Sequence, residues 1–234
     1  LFRSVRIGWA TDQPPARLWA HAIAAARAAL GAGAPAAAAD FLGPHAAWAD
    51  APAALRLAAE GLRGEACRHG DRLPEAERAY AAVLAAGGEV PPADRARALN
   101  GLARIQLNAT RYDEASAACD EALGAGAPEQ RLRALLCLAR IRVYQGRGAE
   151  ADACAQTAER EALALGRPAL AAQALDLRGA QLAQTDPEAG AALLAEATRL
   201  ARAAGDRLGE GYALEDLGNV ELARGTAMGS VSRG

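Results

Sequence analysis

Few residues in this chain have the type and spacing that chemistry requires. There are three histidines, His21, His45 and His69, and four cysteines, Cys67, Cys119, Cys137 and Cys154. Zinc or redox chemistry asks for a C-x-x-C pair, three positions apart, whereas these stand 52, 18 and 17 positions apart. Cys67 and His69 lie two apart on a predicted helix, which points them to different faces and makes them a poor ligand pair. The serines are Ser4, Ser116, Ser230 and Ser232, and none sits in a G-x-S-x-G elbow. Gly31-x-Gly33 and Gly124-x-Gly126 follow no strand and lack the third glycine of a phosphate cradle, so they read as helix ends. Carboxylate pairs such as Glu75/Glu77 read as solvated helix faces beside arginine. The sequence therefore predicts no catalytic residue, no metal and no cofactor, with each cysteine a small apolar filler.

The elements around these residues are helical. The chain has 234 residues, of which 67 are alanine and none lysine, so all 26 basic side chains are arginine against 28 acids. That balance excludes a nucleic-acid coat or a polybasic membrane anchor. The apolar content of 52% argues against disorder. The first residues, with Arg3 and Arg6, lack the apolar core of a signal peptide. The longest uncharged stretch runs from Ala28 to Ala39, far below the roughly 20 apolar residues of a membrane span. A cytoplasmic location is expected. The start at Leu1 reads as that of a fragment or processed product. Residues 1–13 are expected to form an extended segment, 14–224 a helical domain, and 225–234 a disordered tail or expression remnant.

A repeat organises the helical domain. Gly33, Asp71, Thr110, Gly146, Asp186 and Gly225 recur at separations of 38, 39, 36, 40 and 39 residues. Five residues after each of the first five stands an alanine: Ala38, Ala76, Ala115, Ala151 and Ala191. Seven residues before each of the six stands a small residue: Ala26, Gly64, Ala103, Ala139, Gly179 and Gly218. Small residues at matched points on two antiparallel helices let the axes approach closely. The leucine pairs Leu99/Leu102, Leu135/Leu138 and Leu214/Leu217 supply a buried stripe on one face, while in the fifth unit Leu175 is followed by Arg178. The bulky partners on the second helices are Leu42, Tyr80 and Cys119, then Ala155 and Ala195. Proline at helix starts (Pro74, Pro128, Pro168, Pro187) and the Asp186 N-cap fix the boundaries. Helices are predicted near 14–31, 35–49, 53–69, 74–86, 93–109, 112–124, 129–145, 149–165, 168–184, 187–204 and 208–224. Glu60 and Arg63 depart from the apolar pattern of the second unit, and Gly43-Pro44 should kink the second helix.

The run Leu99-x-x-Leu102-Ala103, Thr110-x-Tyr112-x-x-Ala115, Cys119-x-x-Ala122 resembles the tetratricopeptide repeat family, and Leu214-x-x-Leu217-Gly218 repeats its first half. The likeness covers about 14–224, and the units of 36–40 residues exceed the family's 34. Long Ala/Leu/Arg-rich units are similar to the repeat regions of large MalT-like and actinobacterial transcription regulators. The resemblance implies an all-α fold, a right-handed α-α superhelix of about five helical hairpins with a terminal unpaired or capping helix. It also implies a concave groove whose slots are Arg97, Asn100, Arg104 and Asn108, then Arg133, Arg140 and Tyr144, then Asp176 and Gln184, and last Tyr212, Glu215 and Asn219. Such a groove binds a protein or peptide partner, and the arginines suit a partner with an acidic end. The expected role is a non-catalytic scaffold, the sensor or docking region of a multidomain regulator. The alternatives are a regulatory domain attached to an enzyme such as a protease, or an enzyme using the groove. The unpaired last helix either caps the stack with polar Glu215, Asp216 and Asn219 or leaves apolar surface for a homodimer. No membrane or direct nucleic-acid contact is expected.

Overall fold

The computed structural model describes residues 15–125 and 127–231, and every regular element among them is helical. The extended segment expected at 1–13 lies outside the described residues. The chain divides into two compact units, the first ending at Gln130 and the second starting at Arg131. No helix among the described residues is long and apolar enough to cross a membrane.

Unit 1 holds α1 (Pro15–Gly31), α2 (Pro35–Leu42), α3 (Ala53–His69), α4 (Leu73–Ala85), α5 (Pro92–Asn108) and α6 (Tyr112–Gly124), with short 3-10 turns at His45–Trp48 and Gly87–Glu89. The helix predicted over 35–49 stops at Leu42. Gly43 takes a positive φ of 60° and Pro44 has no N–H to donate, so the segment ends there instead of kinking. Helix α7 (Pro128–Tyr144) begins just before the boundary, and unit 2 continues with α8 (Gly148–Ala164), α9 (Pro168–Leu182), α10 (Pro187–Ala203) and α11 (Arg207–Val231). The last helix runs past the predicted end at residue 224, so Gly225 lies within it and marks no turn.

Consecutive helices pack together within each unit. In unit 1, α3 packs on both α1 and α5, and α5 on α4 and α6; in unit 2, α9 packs on α8, α10 and α11. Four of the six repeat points are left-handed turn residues. At Thr110 (φ 59°) the Thr110 N–H donates to the Leu107 carbonyl at 3.0 Å and the Arg111 N–H to the Gln106 carbonyl at 2.8 Å. This double closure satisfies the last carbonyls of one helix and starts the next. It recurs at Gly33, Asp71 and Gly146, and joins hairpins in unit 2 at Gly166 and Gly205. At Asp186 the register differs by one. Asp186 is the N-cap, its carboxylate accepting from the Ala189 N–H at 3.0 Å.

The small-residue columns sit where helices touch. Ala38, Ala76, Ala115 and Ala151 are buried, as are Ala26, Gly64, Ala103, Ala139 and Gly179. The Tyr80 ring of α4, 1% exposed, lies between glycines of two other helices. A Cβ on Gly64 of α3 would come within 2.6 Å of Tyr80 Cε1, and one on Gly101 of α5 within 2.2 Å of Tyr80 Cζ. Burial pushes the Tyr80 phenol up to about 12, with Arg68 opposing. In unit 2 the partner expected at Ala195 is exposed, and Leu194 is buried in its place. A Cβ on Gly179 would approach Leu194 Cγ to 2.8 Å. The one-residue shift at Asp186 carries Leu194 into the slot. Arg178, in its leucine position, reaches across to α8 and pairs with Asp152 at 2.8 Å and Glu159 at 2.6 Å. The pair Leu214/Leu217 does not form a buried stripe: Leu214 is 45% exposed, because no helix follows α11 among the described residues. Cys67, Cys119 and Cys137 are buried, Cys154 is partly buried, and none forms a disulfide.

Candidate functional site

The predicted groove residues stand on α5, α7, α9 and α11 or, for Gln184, just after α9, and the structure treats them unequally. On α5, the Arg97 guanidinium is half-buried and its Nη1 donates to Asp94 Oδ1 at 2.6 Å, one turn away. Asn100 is 6% exposed; its amide nitrogen donates to the Gln130 main-chain oxygen at 2.8 Å within unit 1, while its Oδ1 is buried without a donor. Arg104 and Asn108 lie on the surface.

Unit 2 gathers more of the set. Arg133 and Arg140 of α7 are exposed, as are Gln184 after α9 and Glu215 and Asn219 of α11. Tyr144 and Tyr212 keep 62% and 56% exposure. Asp176 of α9 is half-buried, and its Oδ1 is enclosed without a hydrogen-bond donor. Burial, then the charge of Asp216 on α11, pushes the Asp176 carboxyl up to about 6, while Arg140 on α7 pulls against both. Asp216 is raised too, by burial and then by Glu215, again opposed by Arg140. Three helices thus bring Arg140, Asp176 and Asp216 within electrostatic reach. Asp216 was expected on the outer face of a capping helix, but it faces Asp176. The sequence held the signal, since Tyr212 and Asp216 are one turn apart, as are Arg140 and Tyr144, and each pair shares a helix face.

A second concentration of charge lies in unit 1, at residues outside the predicted groove set. A cleft of about 670 Å³ opens beside the break in α2, with Ala39 before the break and His45 after it on its wall. Helix α2 has 8 residues, against 13 in α4 and α6, so the missing turns leave α3 and α4 uncovered there. The lining includes Glu60, Arg63 and Cys67. The two charged residues that broke the apolar pattern are therefore its polar wall. Burial pushes the Cys67 thiol up, which disfavours a thiolate nucleophile. Among the described residues no group of three His, Cys, Asp or Glu is placed to hold a metal ion.

No family model matches the chain, and the search of curated proteins finds no match.

Proposed function

We propose that this chain is a non-catalytic binding scaffold for a protein or peptide, acting as the sensor or docking region of a larger regulator. The right-handed winding of hairpins within each unit, as in tetratricopeptide repeats, belongs to the same reading. The face of unit 2 carries it. Exposed Tyr144 and Tyr212 stand one helical turn from Arg140 and Asp216, beside a half-buried carboxylate. Tyrosine and arginine are the residue types that dominate binding energy at protein interfaces. A partner donating an N–H to Asp176 Oδ1 would satisfy the enclosed oxygen, and an acidic end would meet Arg133 of the same unit. The raised Cys67 thiol and the lack of any histidine in unit 2 support binding over catalysis. Four cysteines that form no disulfide agree with a reducing, cytoplasmic compartment. Exposed Leu208 and Leu214 on α11 support the homodimer reading of the terminal helix.

Peptide display against the full chain tests this reading. Selected peptides should be enriched in Asp and Glu, and Tyr144→Ala with Tyr212→Ala should weaken them by about tenfold or more. Arg133→Glu should do the same. Selection of no peptide, or unchanged binding by both variants, would contradict it.

A further inference from the structure

The cleft in unit 1 has the size of pockets that enclose small organic molecules. Leu57, Ala79 and Ala82 form its apolar wall. Arg56, Arg63, Arg72 and Arg78 line it against Glu60 and Glu75, so its field is cationic.

Arg63 is the decisive side chain, only 13% exposed. Its Nη1 donates to the Gly43 carbonyl at 2.8 Å, which ties the guanidinium to the break in α2. Its Nε and Nη2 are buried without an acceptor. Glu60 Oε1 stands 3.6 Å from Nε, too far for a hydrogen bond, and lies instead 2.8 Å from His45 Nδ1. Nε–H and Nη2–H are the parallel donor pair that matches a carboxylate's two oxygens. The same pair is filled that way elsewhere in this protein. Arg131 holds both oxygens of Glu161 at 3.1 and 3.3 Å, and Arg147 holds those of Glu150 at 2.7 and 2.6 Å. Arg199 holds Glu196 at 2.7 and 2.5 Å. Arg63 lines the cleft with this pair unfilled.

We propose that the cleft binds a small amphipathic carboxylic acid. Its carboxylate is held by Arg63 Nε and Nη2, and its apolar body lies along Leu57, Ala79 and Ala82. Glu60 and Glu75 select for a single negative charge, because the second charge of a phosphate monoester would be repelled by them. The site uses residues of unit 1 alone and is independent of the partner face of unit 2.

Isothermal titration of the full chain with decanoate tests the proposal, with decanol, decylammonium and decyl phosphate as matched controls. Decanoate should bind at least about tenfold tighter than each control. Arg63→Lys keeps the charge but removes the paired donors, and should weaken decanoate by about tenfold. Ala82→Phe, at an exposed position, fills the cleft without touching Arg63 and should weaken it by about fivefold. Circular dichroism identifies a variant that has lost its fold, and the Ala82→Phe arm then stands alone. Equal binding of decanoate and decanol, preference for decyl phosphate, the absence of any binding heat, or unchanged affinity in a folded variant would overturn the proposal.

Discussion

The connections between hairpins differ between the two units. In unit 2, α8 meets α9 and α10 meets α11 through three-residue turns centred on left-handed Gly166 and Gly205. In unit 1, α2 meets α3 across residues 43–52 and α4 meets α5 across 86–91, each through a 3-10 turn. Short turns hold the next helix at once against the last, and unit 2 is correspondingly filled, with Leu194 seated on Gly179. The longer connection after α2 costs that helix its later turns and opens a cleft. Each unit also buries a charge, Arg63 in the first and Asp176 in the second. The lesson is that the repeat sets the packing, and departures from it create the chemistry.

The largest effect should come from loading the closest contact of unit 1. Gly101→Val forces a side chain into the Tyr80 ring and should cost about 3 kcal/mol, lowering the thermal midpoint by about 6–12 °C. A Cβ on Gly218 of α11 meets nothing within 4 Å. Equal losses for Gly101→Val and Gly218→Val in thermal unfolding would break the claimed difference.

The buried charge of unit 2 predicts a pH effect. The Asp176 carboxyl moves from 3.8 to about 6 on folding, so the folded state binds more protons between those values and stability falls as pH rises through them. The protonated form favours folding below that window, and the penalty is complete above it. Asp176→Asn should therefore raise stability at pH 7.5 by about 1–2 kcal/mol, allowing for solvent screening, and flatten the profile between pH 4 and 6. Thermal melts of both proteins across that range check it. A variant that tracks the wild type at every pH would remove the strain assigned to this cluster.

Smaller effects sharpen the comparison at the turns. Thr110 in unit 1 and Gly146 in unit 2 hold the same left-handed position, with φ of 59° and 72°. Thr110→Gly should gain about 0.5–1 kcal/mol and Gly146→Ala should lose about 1 kcal/mol in denaturant unfolding. The smallest is Gly218→Ala, which adds helix propensity on an exposed face and should gain about 0.5 kcal/mol.

Much of the fold was readable because its signals are local. The αL turns at Asp71 and Thr110, the proline starts and the alanine columns are properties of a few neighbouring residues. The register slip at Asp186 was not readable, since alanine fills most columns there and only packing chooses Leu194 over Ala195. The site was legible in part. Arg140 and Asp176 were expected on one surface, and the charge of Arg140 reaches Asp176. Asp216 and the burial of Asn100 depend on contacts between helices that spacing along the chain does not give. Glu60 and Arg63 stood out as misfits in a leucine pattern, but their meaning depended on α2 ending at Leu42.

The central claim is that small residues at matched points let the helices close on one another, with Tyr80 clasped between Gly64 and Gly101. A double-mutant cycle of Gly101→Val and Tyr80→Ala, followed by chemical denaturation, measures that contact. The account predicts that valine is tolerated once the ring is gone, giving a coupling of about 2 kcal/mol or more. Strictly additive losses would show that the two positions do not meet and would contradict it.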